Sequence, residues 1–181
     1  MKTFLCVLTM SFFSVFAYGQ QEPDFEMEPF VFNQAEATFE TPLPCENAYE
    51  KAKAGASLYL TGIGKVKSYY YIKGEASPLE IDSKTSNIII NTGDISPQQC
   101  LSIIKLDILK SKRRWKTGEV GSFTGASANE ENGVVLKYKK YGENSVIISL
   151  SGLEPGEYCM TITNMMTNSK SAKVYTFRIK E

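Results

Sequence analysis

Apolar and polar residues alternate along the last third of the chain. In three segments every second residue is apolar, while the residues between are mostly polar or charged. Because successive side chains of a strand point to opposite faces, these segments predict half-buried antiparallel strands. The sequence Tyr141-Gly142-Glu143-Asn144 predicts a hairpin turn between the first two. The apolar positions are Val134, Leu136 and Tyr138, then Val146, Ile148 and Leu150, then Tyr175, Phe177 and Ile179.

The middle of the chain predicts more short strands between turn residues. Ser96-Pro97-Gln98-Gln99 has the form of a helix capping box, but the β-branched content of residues 101–109 favours a strand there. Residues 117–133 are polar and rich in glycine, and they predict a long loop. The other predicted strands are residues 57–61, 68–73, 78–82 and 87–92.

The N-terminal part is acidic and contains several prolines. Residues 20–50 hold eight acidic side chains and no Lys or Arg, whereas residues 51–181 hold nineteen basic and twelve acidic ones. Residues 46–54 are the best helix candidate, because they are alanine-rich and follow Pro44. For the rest we expect a flexible linker, although this segment could lie on the basic face of the domain.

The first nineteen residues have the pattern of a secretory signal. Lys2 precedes an apolar run from Thr3 to Ala17, and the small residues Ala17 and Gly19 fit the positions that a signal peptidase reads. The run is too short to span a bilayer and remain there, and no later stretch predicts a membrane span. We therefore expect a secreted or periplasmic protein whose mature chain starts at Gln20.

The residue inventory restricts the possible chemistry. The chain has no histidine, which excludes Ser-His-Asp triads, Cys-His dyads and His-based metal sites. The mature chain keeps Cys45, Cys100 and Cys159, an odd number that permits one disulfide and leaves one thiol. Their spacing matches no zinc motif, so isolated buried cysteines are the simpler interpretation.

One short motif has a specific structural meaning. Leu153-Glu154-Pro155-Gly156-Glu157-Tyr158 lies between two predicted strands and resembles the tyrosine corner of immunoglobulin-like and fibronectin type III sandwiches. The resemblance implies an antiparallel β-sandwich and no activity. If Tyr158 points inward, Met160 and Ile162 do too, and Cys159 and Thr161 face the other way. Cys159 should therefore not join two sheets through a disulfide.

A wider resemblance is to uncharacterised secreted bacterial β-sandwich proteins. It implies a single domain and brings no activity, cofactor or catalytic residue. The segments that carry it are Gly74-Glu75-Ala76-Ser77-Pro78, the Ile-rich strand, Ser96-Pro97, Lys105-Leu106-Asp107, Lys112-Arg113-Arg114 and Pro155-Gly156-Glu157-Tyr158.

A basic cluster with one aromatic residue is the first candidate ligand site. Its cations could pair with phosphate or other acidic groups while a ring stacks on the tryptophan. The alternative is a solvated strand end whose charges protect an edge and whose tryptophan packs inward. The cluster consists of Lys110, Lys112, Arg113, Arg114, Trp115 and Lys116.

Two tyrosines form the second candidate site. Tyr69 and Tyr71 would share one face of a strand and Tyr70 would oppose them, so the pair could form an aromatic platform for a sugar. An ordinary sheet surface would show the same pattern.

Catalytic and metal motifs are weak. A glycosidase needs two carboxylates in one cleft, and Asp82, Asp94 and Asp107 lie only near predicted strand ends. Glu130-Glu131-Asn132 comes nearest to a calcium loop but lacks the alternating ligands. Gly62-Ile63-Gly64-Lys65 is a turn without the spacing of a phosphate loop. We expect no catalytic residue, metal or other cofactor.

These observations predict an all-β protein: a signal peptide (1–19), an acidic segment (20–56) with a short helix or coil, and one antiparallel immunoglobulin-like β-sandwich (57–181). The favoured function is a non-enzymatic binding or envelope-associated module. Its partner would be an acidic polysaccharide, a lipid phosphate or an envelope protein, with no nucleic acid. A secreted carboxylate hydrolase of polysaccharide, or an accessory subunit docking through a strand edge, are the alternatives.

We predict that export removes the segment that ends at Gly19, because the apolar run and the Ala17/Gly19 pair fit signal processing. The intact mass of the exported protein measures this. A mature form that still begins at Met1 would contradict the secretory interpretation.

Overall fold

The computed structural model describes residues 21–127, 132–163 and 171–180. The expected signal segment and the Glu130-Glu131 pair therefore lie outside the described residues. Within them the chain is mostly β-strand, with helices α1 (Ala56–Thr61) and α2 (Pro97–Cys100). The strands are β1 (Pro29–Asn33), β2 (Thr38–Pro42), β3 (Cys45–Ala54), β4 (Lys65–Lys73), β5 (Glu80–Ile81), β6 (Ser86–Asn91), β7 (Leu101–Lys105), β8 (Asp107–Leu109), β9 (Lys112–Gly121), β10 (Gly125–Ser127), β11 (Gly133–Val134), β12 (Tyr138–Tyr141), β13 (Ser145–Ile148), β14 (Gly156–Ile162) and β15 (Ser171–Ile179).

Two sheets contain these strands. The smaller has the order β12-β13-β6-β1-β2, and the larger has the order β10-β9-β4-β3-β15-β14-β7-β11. The larger sheet curls, because β7 pairs with β14 while β8, one residue further along the chain, pairs with β9. Pairing between named strands is antiparallel except for β5 with β15. The all-β, antiparallel prediction is confirmed.

The two sheets share the main apolar core. Ile88, Ile90 and Ile148 of the smaller sheet belong to one buried cluster with Met160 and Phe177 of the larger sheet. A second buried cluster lies on the other face of the larger sheet. Its members are Ala48, Tyr70, Ile72, Ile104, Leu106, Trp115, Cys159, Ala172 and Val174.

The expected linker is wrong for residues 29–45, which contain β1, β2 and the first residue of β3. Pro29 begins β1 and Pro42 ends β2, so these prolines bound strands rather than interrupt them, and β2 is an edge strand where a missing N–H is tolerated.

The chain is also attached to the fold before β1. The Glu22 carboxylate accepts hydrogen bonds from the backbone N–H groups of Glu143 (2.6 Å) and Asn144 (2.9 Å) in the β12–β13 turn. Burial acts to raise the pKa of Glu22, but hydrogen bonds from Ser145, Glu143 and Asn144 outweigh it and lower the pKa.

The helix and strand predicted for residues 46–61 are interchanged. Residues 46–54 belong to β3, because β15 and β4 flank this segment and supply its hydrogen bonds, and Ala48 fits the tight second cluster. Residues 57–61 lie in α1, which connects β3 to β4 and has none of the described strands beside it. Gly62 ends this helix in the left-handed conformation (φ 71°), and its N–H donates to Leu58 O.

Other expectations have mixed outcomes. The β12–β13 hairpin is confirmed. Residues 101–109 form strands as predicted, preceded only by the one-turn helix α2. The long loop predicted for residues 117–133 is wrong in part, because β9 continues to Gly121 and pairs with β10.

The tyrosine corner is present at the start of β14. The Tyr158 hydroxyl donates to the carbonyl oxygen of Glu154 at 2.8 Å, and its ring stacks on Phe177 with centroids 5.5 Å apart. Tyr158, Met160 and Ile162 lie in the main core, whereas Cys159 lies in the second cluster, so the predicted alternation is confirmed. No disulfide joins the described cysteines Cys45, Cys100 and Cys159.

We predict that Tyr158→Phe lowers the free energy of unfolding by about 1–2 kcal/mol, because one buried hydroxyl hydrogen bond is lost. Urea melts measure the difference. Tyr59→Phe is the control, since Tyr59 is largely exposed. Equal midpoints for Tyr158→Phe and the wild type would show that this bond contributes nothing.

Candidate functional site: a basic and aromatic sheet face

The alternation of β9 divides the predicted basic cluster between two environments. Arg113 and Trp115 point into the protein and are 0 % and 1 % exposed, respectively. Lys112, Arg114 and Lys116 share the opposite face and are half-buried. Lys110 lies in the exposed turn between β8 and β9. The cluster is therefore not one surface, and only its outward members can meet a large ligand.

Trp115 belongs to the second buried cluster. Its ring stacks on Tyr70 with centroids 5.0 Å apart and planes inclined by 20°. Among the described residues, its Nε1 has no hydrogen-bond partner. The hypothesis that Trp115 stacks on a bound ring is wrong, because this side chain fills the protein interior.

Arg113 is the centre of a buried ion network. Its Nη2 donates to both carboxylate oxygens of Glu46, at 2.9 and 2.8 Å, and its Nη1 donates to Glu157 Oε2 at 3.4 Å. The same guanidinium donates to the carbonyl oxygens of Gly74 and Lys73. All three of its nitrogens are thus engaged, so the hypothesis that Arg113 binds an external anion is also wrong.

Neighbouring polar groups complete this network. The Ser77 backbone N–H donates to Glu157 Oε2 at 2.7 Å, and Thr176 Oγ1 donates to Glu46. Burial raises the pKa of Glu157, against the opposing effects of the Ser77 N–H and the charges of Arg113 and Arg178.

Sequence reasoning missed Glu46 and Glu157, although one signal was available. Glu157 has the same strand phase as Cys159, which was predicted to face away from the main core. The face that bears Cys159 is buried in the second cluster, and a carboxylate buried there requires a cation.

The outer face of β3, β4 and β9 brings together three tyrosines. Tyr49 stacks on Tyr71 (5.8 Å between centroids), and Tyr69 lies 6.1 Å from Tyr71. Lys112 Nζ lies 4.4 Å from the Tyr71 ring centroid, and the Arg114 guanidinium lies 4.4 Å from that of Tyr69. Tyr71 is buried under these neighbours. The predicted shared face of Tyr69 and Tyr71, with Tyr70 opposed, is confirmed.

Strand register extends this face with more cations. Lys51 pairs with Tyr69, and Lys53 pairs with Lys67, so side chains of β3 continue the row of β4. We call the set the basic-aromatic face. It consists of Tyr49, Tyr69 and Tyr71 with Lys51, Lys53, Lys65, Lys67, Lys73, Lys112, Arg114 and Lys116.

Two carboxylates lie among these cations. Asp107 accepts a hydrogen bond from Arg114 Nε at 3.2 Å. Glu119 forms ion pairs with Lys65, Lys67 and Lys116, because the register shift between Ser68 and Tyr69 brings Lys116 and Glu119 to the same face. Hydrogen bonds from Lys65 and Lys116 lower the pKa of Glu119 to about 2, so this group stays ionised at neutral pH. The face keeps a large excess of positive charge.

A groove of about 400 Å³ opens at one end of the basic-aromatic face. Its polar wall includes Lys53, Lys65 and Lys67, and Tyr69 forms one side. Gly55 and Gly64 bound it where α1 joins the strands. An acidic group in the groove would meet a net positive charge, because three lysines line it while Glu119 pairs with Lys65 and Lys67.

The described residues contain no group of three or more side chains suited to hold a metal ion. Nor does a helix in the described ranges have the length and hydropathy to cross a bilayer. The basic-aromatic face combines positive charge with neighbouring aromatic rings.

Five of the eight sequence-predicted site residues therefore share one face: Tyr69, Tyr71, Lys112, Arg114 and Lys116. Tyr49, Lys51 and Lys53 were missed because β3 was predicted to be a helix. Lys65, Lys67 and Tyr69 are every second residue of one strand. The alternation of strand side chains could therefore have assigned both lysines to the face of Tyr69.

We predict that Arg113→Met lowers the free energy of unfolding by about 3–5 kcal/mol, because the buried carboxylate of Glu157 and the partly buried carboxylate of Glu46 lose this cation. Urea melts at neutral pH measure the loss. Arg178→Met is the control; this exposed arginine lies 3.8 Å from Glu157 and should contribute at most about 1 kcal/mol.

The Arg113→Met deficit should become smaller as the pH falls toward 5. Burial raises the pKa of Glu157, and removal of the Arg113 charge, which acts to lower that pKa, should raise it further. The folded variant therefore binds a proton more readily than the folded wild type, and acid stabilises the variant more. A deficit that is independent of pH would contradict the role of Glu157.

No protein-family model matches this chain, and neither a curated protein nor a solved structure matches it.

Proposed function

We propose that this protein is a secreted, non-enzymatic module that binds anionic groups of an extracellular or envelope partner through the basic-aromatic face. The observation that carries the proposal is the row of eight cations on β3, β4 and β9, which only Asp107 and Glu119 offset among the described residues of that face. Cations on a sheet surface bind polyanions with little selectivity for sequence or stereochemistry.

The aromatic residues add to this binding mode. Lys112 and Arg114 lie over tyrosine rings, which restricts their motion and orients them toward solvent. Tyr69 also borders the groove, so a sugar ring or a headgroup could contact it while its acidic group meets the lysines.

Carboxylate catalysis is less well supported. Glu46 and Glu157 both contact Arg113, but Glu157 is buried and Glu46 is held by Arg113 and Thr176. A glycoside hydrolase needs its two carboxylates in an open cleft. These two instead satisfy a buried guanidinium.

Besides β2, the smaller sheet has β12 as an outer strand through which another strand could dock. This strand carries Lys139 and Lys140, and charged edge residues oppose the addition of another strand. The basic-aromatic face is therefore favoured over β12.

The finer fold proposal is an immunoglobulin-like β-sandwich with an enlarged second sheet. The tyrosine corner and the core shared by the two sheets support it. The curl of the larger sheet around a second cluster departs from the usual two-layer arrangement.

We predict that Lys112→Ala/Arg114→Ala elutes from a heparin column at lower salt than the wild type, because fewer counterions are released on binding. Lys139→Ala/Lys140→Ala is the matched control; it removes the same charge from β12 of the other sheet. Both variants should melt at nearly the wild-type urea concentration. Equal elution of the two variants would show that net charge, not this face, causes retention.

A further inference from the structure

Four large apolar side chains are exposed at one end of the larger sheet. Tyr59, Leu60, Ile63 and Phe123 are 79 %, 84 %, 51 % and 83 % exposed, respectively. Single exposed apolar residues are ordinary, but a group of them indicates an interaction surface. We call these four residues the apolar tip.

Hydrogen bonds between two chain reversals bring the apolar tip together. Tyr59 and Leu60 lie on α1, and Ile63 follows it. Ser122, next to Phe123, donates from its N–H to Gly64 O at 3.0 Å, and its hydroxyl accepts from the Gly64 N–H at 3.1 Å. The segments on both sides of the tip are thus fixed to each other.

Helix α1 gains almost nothing from the fold itself. None of its six residues is buried, and its N-cap, Gly55, supplies no side-chain hydrogen bond. So short a helix is marginal in water, and it normally depends on packing of an apolar face. Here the apolar residues face solvent, which indicates that a partner covers them.

The surroundings of the apolar tip identify the class of partner. The groove with Lys53, Lys65 and Lys67 begins where α1 joins β3 and β4. Side chains that enter an acyl layer, next to lysines that reach headgroup phosphates, are the pattern of peripheral binding to an anionic bilayer. A polysaccharide would contact the lysines but has no acyl region to receive Leu60 and Phe123.

We propose that the apolar tip inserts into the surface of an anionic lipid bilayer while Lys53, Lys65 and Lys67 bind lipid phosphates. This inference rests on the proposed anion binding by the basic-aromatic face and identifies the anionic ligand as lipid phosphate. The protein then lies on a membrane without crossing it. Binding requires both acidic headgroups and acyl chains.

Co-sedimentation with lipid vesicles tests the proposal. The exported form of the protein is mixed with vesicles of phosphatidylcholine alone, or of phosphatidylcholine and phosphatidylglycerol in equal parts. The wild type should bind the mixed vesicles and not the neutral ones. Leu60→Ser/Phe123→Ser should bind the mixed vesicles at least about tenfold more weakly, because two apolar side chains no longer enter the acyl region.

The matched control is Phe25→Ser/Val135→Ser, which shortens two exposed apolar residues outside the apolar tip and should bind like the wild type. On heparin the Leu60→Ser/Phe123→Ser variant should elute with the wild type, since its cations are intact. Lys53→Gln/Lys65→Gln/Lys67→Gln should weaken binding to both heparin and mixed vesicles.

Three results would overturn the membrane proposal. The first is equal vesicle binding by the wild type and Leu60→Ser/Phe123→Ser. The second is retention on heparin without vesicle binding, which leaves the proposed anion-binding function standing. The third is a wild-type dimer in sedimentation velocity that Leu60→Ser/Phe123→Ser converts to a monomer without any vesicle binding, which would make the tip an interface between copies. Failure on both heparin and vesicles would overturn the proposed function as well.

Discussion

The buried guanidinium of Arg113 is the interaction on which the larger sheet depends. It joins β9 to Glu46 of β3, to Glu157 of β14 and to the carbonyl oxygens of Lys73 and Gly74. Removing a charge from water is costly, and this site compensates through hydrogen bonds from all three guanidinium nitrogens to two carboxylates and two backbone carbonyl groups. The partners come from distant parts of the chain, so the ion network links β9 with β3 and β14.

The orientation of the outward residues of β9 follows from the burial of Arg113 and Trp115 on its other face. Since strand side chains alternate, burial of Arg113 and Trp115 directs Lys112, Arg114 and Lys116 to the opposite face. The register shift beside Tyr69 then brings Glu119 to that face, where it offsets part of the lysine charge. The alternation of side chains that buries Arg113 and Trp115 therefore also places the cations of β9 on the basic-aromatic face.

The two proposed contact surfaces have different physical origins. The basic-aromatic face follows from strand pairing, which places cations of three strands side by side. The apolar tip instead lies where β3 leads through α1 to β4 and where β9 turns into β10, and no strand in the described ranges covers it. Their proximity gives one end of the sheet both charge and apolar area, a combination suited to a lipid surface.

Local sequence determined the features that depend on near neighbours. The period-two segments at 146–150 and 175–179, the turn at Tyr141-Gly142-Glu143-Asn144 and the hydrogen bond of Tyr158 to Glu154 involve residues close together in the chain. The segment at 134–138 is not the single strand that was predicted, because β11 ends at Val134 and β12 begins at Tyr138 in the other sheet. The alternation of β14 followed from one inward tyrosine. Tyr69 and Tyr71 could be assigned to one face for the same reason, because a strand fixes relative orientation without reference to its neighbours.

Tertiary structure decided what depends on distant partners. Alanine-rich residues 46–54 have a local preference for helix, but hydrogen bonds from β4 and β15 make them a strand. Residues 57–61 have a local preference for strand, but none of the described strands lies beside them and they form α1. The sequence analysis treated Arg113 and Trp115 as members of one basic cluster, whereas the structure places both in the interior. A strand's period relates its side chains to one another, whereas only packing against other strands decides which side is buried.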